Sequence, residues 1–156
     1  MLSLSANHRS QIQTHGERTY PDECCGLLLG RFGTSPTSEE HKILIEVWPV
    51  TNDWEGAGEF GLNDGQTARR RFLISPEDYL SGERHARQHG LEVIGTYHSH
   101  PDHPARPSEF DRGNAWPVYS YIIVSIQTGQ AVDLASWILD EERQFQSETL
   151  QQTVEA

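Results

Sequence analysis

Strand-like and helix-like stretches alternate through the middle of this 156-residue chain. The alternation predicts an α/β fold, a single domain with a central mixed β-sheet flanked by helices. Two further observations agree. The length suits one domain, large enough to bury a core without staples. Apolar runs such as C-G-L-L-L-G-R-F (25–32) and V-Y-S-Y-I-I-V-S-I (118–126) are bounded by turn residues and short enough for buried strands.

Taken in order, residues 4–16 read as a short polar helix closed by Gly16, with Leu4, His8, Ile12 and His15 at helical spacing. Pro21 and Asp22 mark a turn before the strand Cys25–Phe32, and Glu23 stands at the entrance to it. Residues 33–40 form a polar loop, and K-I-L-I-E-V-W-P-V (42–50) forms a strand antiparallel to the first. The Gly-rich, acidic segment 52–65 lacks the pattern and the basic residue of a phosphate cradle and is expected to be a mobile surface loop beside a site. Arg69–Ile74 is predicted as a third strand. Ser75-Pro76-Glu77-Asp78 starts a helix with a capping serine, a proline at the first position and acids in the first turn. It runs to about His89 and stops at Gly90. Residues 91–100 form a strand, Ser108 begins a short helix that Pro117 ends, and 118–126, 131–139 and 142–150 are further strands. The domain is expected to span 1–150, with 151–156 a frayed tail.

Twelve basic and 23 acidic side chains give a net charge of −11 and a pI near 5.0. Such a surface repels phosphate backbones, so nucleic acid is excluded as the expected partner, and it suits a partner with basic patches. No apolar run approaches the length of about 18 residues that a membrane span needs. The first residues lack the charged start and hydrophobic segment of a signal peptide. Cys24 and Cys25 are adjacent, a poor disulfide framework. Together these point to a reducing cytoplasm.

The chemistry concentrates in G-T-Y-H-S-H-P-D-H-P-A-R-P-S-E-F-D (95–111). His98 and His100 are two apart at a strand end, so both imidazoles leave the same face and reach one ion. Three prolines stiffen the turn that follows, and Asp111 supplies a third possible ligand. Two histidines and a carboxylate leave the fourth position of a tetrahedral zinc open for water. Other hydrolases with H-x-H build on (β/α)8 barrels of roughly 250 residues, longer than this chain. Ser108 and Asp111, at S-x-x-D, also read as a capping box of the helix they begin. His85 and His89 have H-x-x-x-H spacing, but Ala86 stands where the metalloprotease helix needs glutamate, so they read as solvated surface. His103 reads as a rim residue. Cys24 and Cys25 are either nucleophiles or, leading into an apolar strand, buried small hydrophobes. Glu23 is either a solvated turn residue or a carboxylate directed inward.

These residues resemble the JAMM (MPN-plus) metalloproteases, whose pattern is an upstream glutamate followed by H-[ST]-H-P-x6-S-x2-D. Here these are Glu23, His98-Ser99-His100-Pro101, Ser108 and Asp111. The resemblance extends to Y-P-D-E-C-C-G-L-L-L-G (20–30), R-F-L-I-S-P-E-D (71–78) and V-I-G-T-Y-H-S-H-P (93–101), from about Tyr20 to Trp116. It is strongest to the small prokaryotic branch, Mec-like peptidases, in which some members cut a C-terminal adduct such as cysteine from ubiquitin-like sulfur-carrier proteins and others remove modifiers from lysines. Thr96 stands where a large aromatic is expected, and the long insertions of eukaryotic members are absent.

The resemblance implies a cytidine-deaminase-like JAMM/MPN fold and a zinc cofactor held by His98, His100 and Asp111. It implies Glu23 as the base that takes water's proton and returns it to the leaving amine, with Ser108 stabilising the oxyanion. The implied substrate is a ubiquitin-like or sulfur-carrier protein, its Gly-Gly tail gripped by strand addition near the site. Two rival readings belong to other classes. One is a catalytically silent binding module, against which the complete set of site residues argues. The other is a zinc hydrolase of small-molecule amides.

Overall fold

The computed structural model describes residues 1–34, 40–54 and 65–154. Its elements are β1 (Leu2–Ser5), α1 (Ala6–Thr19), β2 (Cys25–Thr34), β3 (Glu40–Val50), α2 (Pro76–Gln88), β4 (Glu92–Pro101), α3 (Glu109–Gly113), β5 (Ser120–Gln127), β6 (Gln130–Leu139), β7 (Phe145–Glu148) and β8 (Leu150–Thr153). The strands form one mixed sheet in the order β7-β6-β5-β4-β2-β3-β1-β8. β1 runs parallel to β3 and β8, and β4 parallel to β5, while the remaining neighbours are antiparallel. The α/β fold class read from the alternation is therefore the observed one.

Each face of the sheet carries a helix. Leu27 and Leu29 pack with Val93, Leu91 and Ala86 of α2 on one face. Leu28, between them, packs with Ile12 of α1 and with Leu4, Ile122, Val124 and Ile126 on the other. Side chains of successive strand residues alternate between the faces, so L-L-L serves both layers at once.

The sheet is strongly curled. β7 and β8 lie at opposite ends of the strand order, yet only Thr149 separates them. Eight flat strands would hold their outer members about 34 Å apart. Residues two apart reach at most about 7 Å. The ends must therefore meet, and Thr149 carbonyl accepts the Leu2 amide there at 2.9 Å. Glu148, 6% exposed, lies buried at this seam. It binds Lys42 Nζ at 3.3 Å and accepts hydroxyl protons from Ser120 at 2.6 Å and Ser136 at 2.8 Å. Four strands are thereby tied to one carboxylate.

Several expectations are corrected. The first helix does not start at residue 4: Leu2–Ser5 is a strand, and Ser5 caps α1 by accepting the His8 amide at 3.1 Å while His8 Nδ1 accepts the Ser5 amide. Gly16 does not end it. A Cβ at Gly16 would lie 2.8 Å from Ile126 Cδ1, so glycine lets the helix approach the sheet, and the helix continues to Thr19. Arg69–Ile74 is not a strand. Three consecutive arginines place charge on both faces, which a sheet interior cannot solvate. Asn52 instead holds the segment, its Oδ1 accepting the Leu73 amide at 3.1 Å and its Nδ2 donating to the Arg71 carbonyl at 2.9 Å. The last predicted strand, 142–150, is two short strands at opposite sheet ends, and Gln151–Thr153, expected in a frayed tail, pair with β1.

The N-cap at Ser75 and the stop at Gly90 stand as read: Ser75 Oγ accepts the Asp78 amide at 3.1 Å, and Gly90 has φ of 68°. The expected loops at 33–40 and 52–65 fall largely on residues 35–39 and 55–64, which lie outside the described residues, as do 155–156. No described helix is long and apolar enough to cross a membrane.

Candidate active site

The site forms where β4 ends. Opposite β2, Leu28 pairs with Gly95 and Leu29 with Val93, so Ile94 is an extra residue, a bulge that resets the parity of β4. Beyond it, Tyr97 joins the α1-side core, while His98 and His100 leave the opposite face together. Both are buried, at 1% and 8% exposure. The two-residue spacing thus places both imidazoles on one face, as strand parity predicts.

Strand pairing also decides which upstream residue joins them. Cys25 pairs with His98, so Glu23, two residues earlier in the antiparallel strand, arrives beside His100 on the histidine face. Cys24 points the other way, into the α1-side core. Ser99 Oγ accepts the Cys24 amide at 2.7 Å, and the Ser99 amide donates to Cys24 carbonyl at 3.2 Å, locking the two chains together. Glu23 itself is anchored through its backbone, its amide donating to Ala68 carbonyl at 2.7 Å and its carbonyl accepting Asn52 Nδ2 at 3.0 Å. Burial pushes its carboxyl well above the usual glutamate range; Asp111 adds to this, and Arg71 and Arg70 pull it back.

α3 delivers the last members. Ser108 and Asp111 form the capping box: Asp111 amide donates to Ser108 Oγ at 3.0 Å, and Ser108 amide to Asp111 Oδ2 at 2.8 Å. The same Oδ2 lies 3.3 Å from Nε2 of His98 and 3.3 Å from Nε2 of His100, which are 3.1 Å apart. A tetrahedral ion with bonds of about 2.0–2.1 Å separates its ligands by about 3.3–3.4 Å. Three donors thus already hold the spacing that such an ion imposes. A Glu23 carboxylate oxygen lies within 4.8 Å of both histidine nitrogens, so two carboxylates border the pair, with Asp111 placed to bridge it.

Protonation suits the same fit. Desolvation holds the wholly buried His98 on its neutral side, against the pull of Asp111. Burial alone would raise the Asp111 carboxyl, but His98, His100 and the Ser108 amide outweigh it and hold it well below the usual range. A neutral imidazole at His98 and an ionised carboxylate at Asp111 are the forms in which such groups bind a cation. His100 Nδ1 lies 2.8 Å from Pro104 carbonyl, which as acceptor fixes the tautomer that leaves Nε2 with its lone pair. Phe72 stacks on the other ring, with centroids 4.4 Å apart, while His98 Nδ1 has no hydrogen-bond partner among the described residues. A family model described as prokaryotic homologs of the JAB domain matches residues 5–140.

The chain belongs to the prokaryotic JAB family. It is 32% identical over 129 residues to the desampylase of Haloferax volcanii, covering 80% of each chain. The solution structure of a Desulfitobacterium hafniense protein is similar at a TM-score of 0.73 and 26% identity, over 99% of this chain and 96% of that one. A solved structure described as JAMM, a metalloprotease-like zinc site in the proteasome and signalosome, shares the fold at a TM-score of 0.51 and 17% identity, covering 98% and 96%.

Within this JAB-family chain, the remaining candidates stand apart from the cluster of His98, His100 and Asp111. His85 binds Glu46 at 2.7 Å and lies between Trp48 and His89 on α2. Burial pushes the Cys24 thiol up to about 12 and raises Cys25 as well, so neither is a ready nucleophile. His103 is exposed and borders a pocket of about 230 Å³ shared with Glu23, His100, Ser108, Arg70, Arg71 and Arg106. On the other side of the site lies an apolar cleft of about 880 Å³, walled by Phe72, Ile74, Tyr79, Leu80, Trp116 and Tyr121, with His98 and Asp111 among its lining. Thr96 lines it too, so its small side chain leaves room there.

Sequence reading missed Phe72, Asn52 and the Pro104 carbonyl. Phe72 and Asn52 belong to segments whose contacts depend on the fold alone. Pro104 had a signal: a rigid turn four residues after a candidate ligand is well placed to present a carbonyl to it.

Proposed function

We propose that this protein is a zinc-dependent peptidase or isopeptidase that hydrolyses an amide bond at the C-terminus of a ubiquitin-like or sulfur-carrier protein. The observation that carries the reading is the convergence of His98, His100 and Asp111 at 3.1–3.3 Å beside a buried Glu23 whose proton affinity is raised. The likeness to a desampylase supports a modifier as substrate. His98, His100 and Asp111 would hold the ion. When bound, zinc supplies Lewis acidity, bringing water's pKa to about 7 and polarising a carbonyl.

The chain's own groups do the rest. Glu23 takes the proton of the attacking water and delivers it to the departing amine; its raised proton affinity suits a group that must both accept and return. Ser108 Oγ already accepts the Asp111 amide, so its hydroxyl proton remains to be donated to the carbonyl oxygen as charge develops. The Pro104 carbonyl and the Phe72 ring hold the imidazoles, so little reorganisation accompanies the reaction.

The test pairs zinc analysis with cleavage of a carrier protein ending in Gly-Gly plus one further residue. Zinc-loaded protein should release that residue, and Glu23→Gln should retain zinc while losing about 10²–10⁴-fold in rate. Zinc binding without turnover on any modifier-derived substrate would leave only a binding module, and full activity in Glu23→Gln would remove that residue from the mechanism.

A further inference from the structure

We propose that the basic pocket beside the ligand cluster reads a free carboxylate on the leaving residue, so that the enzyme removes a single C-terminal residue in preference to a modifier linked through a lysine side chain. The inference rests on the peptidase reading above and names its substrate class.

The pocket is unlike the rest of the surface. The chain has only 12 lysines and arginines against 23 acids, yet Arg70, Arg71 and Arg106 border one cavity of about 230 Å³, with His103 beside them and Glu23 and His100 among its lining. Sites for drug-sized ligands are larger, about 300–1,000 Å³. This one suits a single residue. Its position is the informative part: a group that contacts Glu23 is on the side from which the leaving amine collects its proton, so charge recognised there belongs to the departing fragment.

Both arms of the pocket are held by the backbone. Arg70 and Arg71 amides donate to Thr67 carbonyl at 3.0 and 3.1 Å, and Ala68 carbonyl takes the Glu23 amide at 2.7 Å, so the arginine turn and Glu23 move as one unit. Ser125 Oγ donates to His103 carbonyl at 2.5 Å and Trp137 Nε1 to Ala105 carbonyl at 3.0 Å, pinning the turn that carries Arg106. Arg71 is engaged with the Phe110 ring at 4.6 Å and donates to Arg70 carbonyl at 2.9 Å, which makes it a wall. Arg70 and Arg106 are exposed and come from separate turns, a two-sided arrangement suited to a carboxylate. A C-terminal residue joined through its α-amine carries its carboxylate one carbon from the scissile nitrogen. An ε-linked lysine has a long methylene stem there and no nearby anion.

Arg71 and Arg70 also lower the proton affinity of Glu23, so a loss of rate on mutating Arg70 would not by itself identify a carboxylate site. The test therefore compares two ends of one substrate: a carrier ending Gly-Gly-Ala with a free carboxylate and the same carrier ending in the carboxamide. Wild-type kcat/KM should favour the carboxylate by about 10–100-fold, the range for hydrogen bonds to a charged group. Arg70→Gln and Arg106→Gln should each move that ratio toward one. A role confined to tuning Glu23 predicts instead that both substrates lose rate equally and the ratio stands; that result, or equal wild-type rates on an enzyme that cleaves both, overturns the carboxylate site and leaves the peptidase reading intact. A second measurement does not depend on turnover. In metal-free protein, acetyl-Gly-Gly-Ala should shift the side-chain NMR signals of Arg70 and Arg106 and bind about tenfold more tightly than its carboxamide. If neither carrier is cleaved, this titration decides alone: tighter binding of the carboxylate sustains the site, and equal binding ends it.

Discussion

The molecule buries two clusters of charged and polar side chains, and they differ in how completely they are satisfied. At the seam of the sheet, Glu148 meets Lys42 and two serine hydroxyls. At the end of β4, two imidazoles and two carboxylates crowd within a few ångströms, His98 Nδ1 lacks a partner among the described residues, and Glu23 resists ionisation. The first arrangement is complete within the protein. The second is not completed by the described residues. A buried polar group without its partners is costly, so a cluster left in that state is held for a purpose other than stability.

The contrast can be broken most forcefully at the seam. Glu148→Gln removes the carboxylate but strands the Lys42 ammonium, which is 2% exposed. The expected loss is about 3–5 kcal/mol, or roughly 6–20 °C in melting temperature for a domain of this size. Lys42→Met in the same background should recover much of it, because the stranded charge is gone. A melting temperature unchanged by Glu148→Gln would mean the seam does not depend on the pair.

At the site, zinc held by Nε2 of both histidines and by Asp111 should stabilise the fold, because only the folded chain brings these three atoms together. At a hundredfold excess over its dissociation constant the gain is about 2.7 kcal/mol, visible as a higher melting temperature that a chelator reverses. Asp111→Asn should abolish the shift. Zinc that binds Asp111→Asn with undiminished effect would remove Asp111 from the ligands.

The smallest effect is the most discriminating. Glu23→Gln is the same chemical change as Glu148→Gln, with the opposite expected sign. A carboxyl whose folded pKa is raised contributes its full stability below the unfolded value of 4.5 and loses it as pH rises through the folded value. Above pH 4.5 the site therefore costs metal-free protein stability, because the buried carboxyl gives up its proton less readily than in the unfolded chain, and Gln relieves that cost. Thermal melts of metal-free protein should show Glu23→Gln above wild type at pH 7 and level with it below pH 4.5. A destabilised variant at pH 7 would make Glu23 a structural partner like Glu148.

Legibility divides along a similar line. His98, His100 and Asp111 were readable because strand parity and a capping motif are local rules, and the Ser75 cap and Gly90 stop rest on equally local chemistry. Glu23 gained its meaning only through the register of β2 on β4, which no short window contains. β1 and β8 are four-residue strands that exist by pairing with each other and, for β1, with β3. Four residues carry too little periodicity to read. Gly16 reads as a helix stop because glycine is ambiguous until its neighbours are known, and here Ile126, from the far half of the chain, decides it. Lys42 gave no sign of burial, since its partner lies 106 positions away.

The one-residue step from β7 to β8 also bears on how the protein comes to be made. β1 can pair with β3 early, but Leu2 and Leu150 become neighbours only after Leu150 itself has left the ribosome. Contacts of such separation slow folding, because loop closure must come before any reward. Until Glu148 arrives, Lys42 has no counter-charge and β1 presents an open edge, the state most prone to pairing with another chain. The seam that completes the sheet is thus also its slowest part to protect, and a nascent chain halted before residue 148 should be the form that aggregates.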